Sequence, residues 1–102
     1  MALPRKVFEC VKARDMGLCV VRGPYCTGQA QVAHHRANRG AGGSRSLDGY
    51  SNLLASCSRC NSWMEECDGA NRGELLARGV RVQSDSTHEK TALRALNTPV
   101  VD

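Results

Sequence analysis

Residues 32–61 read VAHHRANRGAGGSRSLDGYSNLLASCSRCN, and this stretch decides the fold. Alternation over QAQVAHH (29–35) predicts a strand that ends on two adjacent histidines, His34 and His35. The run RANRGAGGSRSLDGYS (36–51) holds four glycines and little apolar character. Such a loop forbids regular structure but lets backbone approach a ligand closely. Asn52-Leu53-Leu54-Ala55 resumes apolar character, and the turn from Cys57 to Cys60 feeds a helix running to about Cys67. Strand, loop, apolar run and helix in this order, with further helices on both sides, describe a small α+β domain.

Working outward, residues 4–16 are predicted as a helix, because Val7, Cys10, Val11 and Arg14 recur at three- and four-residue spacing. Gly17 turns the chain into a short strand around 18–21, and RGPYCTG (22–28) reads as a knuckle. On the helix after Cys57, the residues Trp63, Met64 and Cys67 share the face to be buried, while Asn61, Glu65 and Asp68 share another. A helix over 71–78 ends at Gly79, a suitable C-terminal cap, before a short strand at 80–82. From Gln83 the chain is polar, with a weak helix at 88–96 and an arm over 97–102. The expected organisation is one domain over 1–82, with its core motif at 19–67, and a polar C-terminal extension over 83–102.

A chain of 102 residues with one Trp, one Phe, two Tyr and ten Gly builds a thin core. Such a domain needs a staple, either disulfides or a structural metal. The N-terminus MALPRKVFECVKARDMG has no apolar signal region, and no stretch reaches the length of a membrane span, so a reducing cytoplasm is expected. There cysteine serves metal or chemistry more than cross-links. Cys57-x-x-Cys60 is a strong half-site, since two intervening residues let both sulfurs reach one zinc ion from a tight turn. Cys19 and Cys26, with six residues between them, complete the set from a wider loop, although they also fit a plainly buried or disulfide-linked pair. Cys10 and Cys67 fall on apolar helix faces and are read as packing residues.

The formal charge is +4, and arginine supplies eleven of the fourteen cations. Arg36, Arg39 and Arg45 crowd the segment 32–45, which contains no acid. Arginine's planar fork suits phosphate, so these three are expected to grip a nucleic-acid backbone without reading its sequence. His88 has no functional company and is read as a surface residue.

Two touching imidazoles can divide labour, one holding a metal and the other abstracting a proton. RDMGLCVV, VAHHR, RGAGGSR, SNLLASC, CSRCNSWMEE and ARGVRV together resemble the HNH endonucleases, especially small phage-encoded ones, over about seventy residues from Arg14 to Val82. The resemblance implies a ββα-metal fold with flanking helices, stapled by a structural zinc on Cys19, Cys26, Cys57 and Cys60. Two strands would be joined by the loop carrying Asn52, and a helix would bring Asn61 back beside the histidines. It further implies that His34 ligates a catalytic metal, His35 is the general base, Asn52 braces the loop that positions His35, and Asn61 ligates the same metal through its amide oxygen. The last position often holds histidine, and asparagine there is a neutral, harder ligand. Mg²⁺ or Mn²⁺ is therefore expected, weakly held without DNA. Glu65, one turn beyond Asn61, is a candidate for orienting a water on that ion. Double-stranded DNA is the implied substrate, cut to 5′-phosphate and 3′-hydroxyl ends. A phage terminase is the partner that the resemblance suggests, in the host cytoplasm. The rival reading is a non-catalytic zinc module that binds nucleic acid, which leaves His34, His35, Asn52 and Asn61 without a task. A secreted disulfide-stapled domain is the other, and it has no signal peptide to support it.

Overall fold

The structure, a computed structural model, describes residues 4–38, 45–66 and 72–101. Helix α1 (Arg5–Arg14) follows Pro4, whose carbonyl accepts the Val7 N–H at 3.0 Å. Its inward stripe is narrow: Val11 is fully buried and Val7 packs beside it, whereas Cys10 is exposed. The expectation that Cys10 packs inward is thus corrected, because a ten-residue helix lying on a two-stranded sheet needs only the Val7–Val11 line. Met16 (φ 60°) and Gly17 (φ 73°) end the helix, with the Gly17 N–H returning to the Lys12 carbonyl at 2.8 Å.

Strands β1 (Val32–His35) and β2 (Leu53–Ser56) pair antiparallel, with His34 opposite Leu54 and His35 opposite Leu53. Alternation sends Leu53 and Ala55 toward Val11 and Ala30, while Leu54 joins Cys19, Val21, Cys57, Cys60, Met64, Leu75 and Val80. Both faces of β2 are covered, so the strand is buried throughout. Arg14 clamps α1 to this strand by donating to the carbonyls of Tyr50 (2.8 Å) and Leu53 (2.6 Å), and Asp15 accepts the Ala55 N–H at 2.8 Å.

Helices α2 (Ser58–Glu66), α3 (Arg72–Ala77) and α4 (His88–Leu96) complete an α+β domain with a two-stranded sheet. Three local expectations fail. Residues 18–21 make only a bridge from Leu18 to Gln29, because the chain must bend there to bring Cys19 toward Cys26. Residues 80–82 form no strand; Arg81 N–H returns to the Leu75 carbonyl and Val82 N–H reaches the Arg36 carbonyl. The glycine-rich loop ends in two short 3₁₀ turns, Arg45–Asp48 and Tyr50–Asn52, anchored by fully buried Leu47.

The C-terminal segment is fastened rather than free. Thr87 caps α4 by accepting the Lys90 N–H at 3.1 Å, and the helix buries Thr91 and Ala95, the latter against Ala37 and Val82. Beyond it, Val101 N–H donates to the Arg78 carbonyl at 2.7 Å, so the expected arm lies against the body. Arg36 makes the main tie. Its Nε donates to Gly79 O (2.7 Å), its Nη1 to Ser51 O (2.7 Å) and Ala95 O (2.9 Å), and its Nη2 to Thr98 O. Gly79, Ala95 and Thr98 lie at the C-terminal ends of α3 and α4, where a cation meets the negative pole of each helix. Arg36 is 3 % exposed, which corrects its expected role on a phosphate backbone. Burial, and then the nearby Arg14 charge, pull its pKa below the usual arginine value.

Candidate functional site

Four cysteines meet between the bend at 19–28 and the start of α2. The Sγ atoms of Cys19, Cys26, Cys57 and Cys60 all lie within 4.8 Å of one another, and no disulfide joins them. Tetrahedral ligation by sulfur requires such mutual proximity. Backbone N–H groups point at three of the sulfurs: Gly23 and Thr27 donate to Cys60 (3.3 Å) and Cys57 (3.5 Å), Gly28 to Cys26 (3.3 Å), and Cys60 to Cys57 (3.3 Å). Donors of this kind favour thiolates, the form that binds metal. Burial pushes the Cys57 thiol up, but the Thr27 and Cys60 donors more than reverse this and hold it at about 6. Burial raises the Cys26 and Cys60 thiols, and the neighbouring sulfurs add to this, because they cannot all ionise side by side without a cation among them. The cluster can therefore hold a metal ion, and its donors and shape fit one.

Starting at Asn61, the residue after Cys60 on α2, a second set of polar groups converges at the end of β1. His34, His35, Asn38, Asn61, Glu65 and Arg81 line one open cavity of about 250 Å³ with Ala33. His34 is 2 % exposed, and its Nε2 meets the Val80 carbonyl at 3.3 Å. A carbonyl only accepts, so Nε2 carries the proton and Nδ1 keeps the lone pair of the neutral ring. Burial, then the Arg81 charge, lower the His34 pKa to about 4, while hydrogen bonds to Val80 and to the Asn61 side chain oppose this.

That shift has a stability consequence. The unfolded chain protonates this ring below about pH 6.5, whereas the folded ring resists to about pH 4. Stability that is complete above pH 6.5 is lost as the pH falls through this window, by roughly 3 kcal/mol in all. Urea midpoints of wild type and His34→Asn, both metal-loaded at the cysteines, measure it. Wild type is expected to lose more between the two pH values; parallel curves would mean the ring is not held neutral.

Asn52, just before β2, is fully buried. Its Oδ1 accepts the Ala37 N–H at 2.8 Å, and its Nδ2 donates to Ala37 O (3.1 Å) and Leu47 O (2.8 Å). One side chain thus ties the end of β1 to the 3₁₀ turn Arg45–Asp48. From that turn Asp48 reaches back to His35, with Oδ1 at 2.9 Å from Nε2. Arg81 closes the opposite side, donating to Met64 O (3.3 Å) and Glu65 Oε1 (3.4 Å). Glu65 is exposed but faces the same cavity as Asn61, as their shared helix face requires.

The structure thus brings together His34, His35 and Asn61, buries Asn52 between Ala37 and Leu47, and gathers the four cysteines into one cluster. It takes Arg36 away into the interior. Arg39, Cys67 and Asp68 lie outside the described residues, and Arg45 is described only in its backbone. His88 stands exposed at the first turn of α4. Asp48 and Arg81 are the additions: each sits in an unremarkable local context (SLDGYS, VRV), and only the folding of loop and post-α3 segment against β1 marks them. Among the described residues, no helix is long and apolar enough to cross a membrane. Comparison of the chain with family models, with curated proteins and with solved structures returned no match.

Proposed function

We propose that the protein is a metal-dependent endonuclease of the HNH type, hydrolysing DNA phosphodiesters, with a structural zinc ion on Cys19, Cys26, Cys57 and Cys60. The observation that carries this reading is the convergence of a buried neutral histidine, a second histidine and an asparagine amide on one open cavity, with a buried asparagine bracing the segment that follows β1. A purely structural zinc module has no need of such a convergence. The cysteine cluster supports the zinc by its donor type and spacing.

His34 Nδ1 and the Asn61 amide oxygen would hold the divalent ion, Mg²⁺ or Mn²⁺. When bound, that ion supplies positive charge beside the scissile phosphate, where the departing oxygen gains negative charge. His35 accepts the proton of the attacking water. Asn52 holds the loop so that the His35 ring keeps its place during attack. Arg81, already beside His34, opposes a lone cation there but attracts a phosphate, so metal and DNA are expected to bind together more tightly than either alone. Cleavage on this scheme leaves 5′-phosphate and 3′-hydroxyl ends, and a terminase partner is consistent with such an activity.

Nicking of supercoiled plasmid DNA with Mg²⁺ or Mn²⁺ tests the reading. Wild type should convert it to open circles, EDTA should stop the reaction, and folded His35→Ala should be slower by about 10²–10⁴-fold, the usual contribution of a general base. Zinc-loaded wild type that binds DNA and cuts none would favour the non-catalytic binding module. Equal cutting by His35→Ala would remove His35 as the base.

A further inference from the structure

We propose that Asp48 is the positioning residue for His35, forming a carboxylate–imidazole pair that leaves Nδ1 as the ring's proton acceptor. The inference rests on the nuclease reading of the cavity and deepens it. Asp48 Oδ1 lies 2.9 Å from His35 Nε2, within ordinary hydrogen-bond distance, and an ionised carboxylate can only accept. Nε2 therefore carries the proton. In a neutral imidazole the remaining lone pair then belongs to Nδ1, on a ring that lines the cavity beside His34 and Asn61. Without Asp48 the ring would exchange between two tautomers and two flipped orientations, only one of which presents a basic nitrogen to a bound water.

The carboxylate is itself held. It closes the 3₁₀ turn Arg45–Asp48, in which Leu47 is fully buried and its carbonyl accepts from Asn52 Nδ2 at 2.8 Å. Helix α4 packs on the same turn. A relay of rigid groups thus runs from the C-terminal helix and Asn52, through Asp48, to His35. This gives the Asn52 brace a physical route to the base: it fixes the turn that carries the carboxylate, as well as the backbone just after β1. Both members of the pair keep some solvent contact, at 20 % and 23 % side-chain exposure, so their coupling is weaker than in a fully enclosed pair.

The decisive variant is Asp48→Asn, which is nearly isosteric but can turn an NH₂ donor toward the ring. Such a donor demands a bare Nε2 and drives the proton to Nδ1, the tautomer that cannot accept a proton from water there. Long-range ¹H–¹⁵N spectra of the zinc-loaded protein at about pH 8, where an ordinary imidazole is neutral, read the His35 tautomer directly. Wild type should show Nε2–H and Asp48→Asn a mixture or Nδ1–H. In plasmid nicking with Mn²⁺, Asp48→Asn should lower kcat by about 10- to 100-fold and leave KM for DNA within about twofold, because a positioning residue acts in the transition state. An Nδ1–H or cationic His35 in wild type overturns the proposal. So does Asp48→Asn cutting at the wild-type rate while wild type is active, which leaves the nuclease reading standing. A wild type that cuts nothing, with spectra still showing Nε2–H, overturns the nuclease reading and reduces the pair to a structural contact, taking the proposal with it.

Discussion

With the proposed zinc ion on Cys19, Cys26, Cys57 and Cys60, chelating that ion, or replacing Cys57 with Ser, is expected to unfold the domain. The larger buried cluster is assembled around Cys19, Cys57 and Cys60 themselves, with Val21, Leu54, Met64, Leu75 and Val80 packed about them. No aromatic side chain is fully buried, and only Trp63 packs half-buried against this cluster, so the core relies on the cysteine cluster and small aliphatic side chains. The stability of an average domain is about 5–15 kcal/mol, and a structural zinc in a small domain contributes on the order of 10 kcal/mol. Loss of the ion therefore removes most or all of the margin. It also leaves a group of sulfurs pushed together, of which Cys60 and Cys26 resist ionisation because of their burial. Circular dichroism and a zinc-release assay on the same samples check this: unfolding should follow metal loss with one ion per chain. Cys10→Ser is the control, since that thiol is exposed, and its stability should stay within about 0.5 kcal/mol of wild type. A Cys57→Ser protein with the wild-type spectrum and melting temperature would show that the cysteines merely pack.

The second large effect is expected at Arg36. Removing its guanidinium, as in Arg36→Met, leaves the buried or half-buried carbonyls of Gly79, Ser51 and Thr98 without the donor that serves them, while Ala95 O keeps only the Thr98 N–H at 3.2 Å. Each abandoned buried acceptor costs about 1–3 kcal/mol, less whatever water can recover. A net loss of roughly 3–5 kcal/mol follows, at the upper end for a single substitution. Arg36→Lys should fall between the two, because an ammonium lacks the planar fork that reaches several carbonyls at once. Urea midpoints measure the loss, with Arg59→Met on the exposed face of α2 as a control that should change little. Amide exchange adds a location: protection in α4 should fall before protection in β2. An Arg36→Met midpoint equal to that of Arg59→Met would show that the four carbonyls are satisfied otherwise.

How far the chain could be read without its structure differs from segment to segment. The helix over 88–96, the end of β1 on His34-His35 and the start of α2 at the Cys57–Cys60 turn follow from local signals, and those are present in the residues themselves. The cysteine cluster was legible for the same reason at Cys57 and Cys60, where spacing alone brings two sulfurs to one point. Cys19 and Cys26 were harder, because six intervening residues need a bend whose shape local pattern does not specify. The short strands predicted at 18–21 and 80–82 failed because apolar character there serves burial in a bend, where the backbone bonds to Gly28, Ala55, Leu75 and Arg36 in place of a regular ladder. Arg36 was misread since charge and neighbours suggested a solvated loop, and nothing local says that two helix ends will close over it.

Local pattern in the chain sets the α+β class, a strand that ends on two histidines, a helix that begins at the cysteine turn, and the residue types available for metal and proton chemistry. These depend on periodicity and short spacings, which act within a few residues. Tertiary structure alone decided which arginine is buried, that the C-terminal helix belongs to the core, and that Asp48 faces His35 while Arg81 faces His34. Those outcomes depend on contacts across 13 residues from His35 to Asp48 and 62 from Arg36 to Thr98. At such separations the backbone path, and no local preference, sets which polar groups meet.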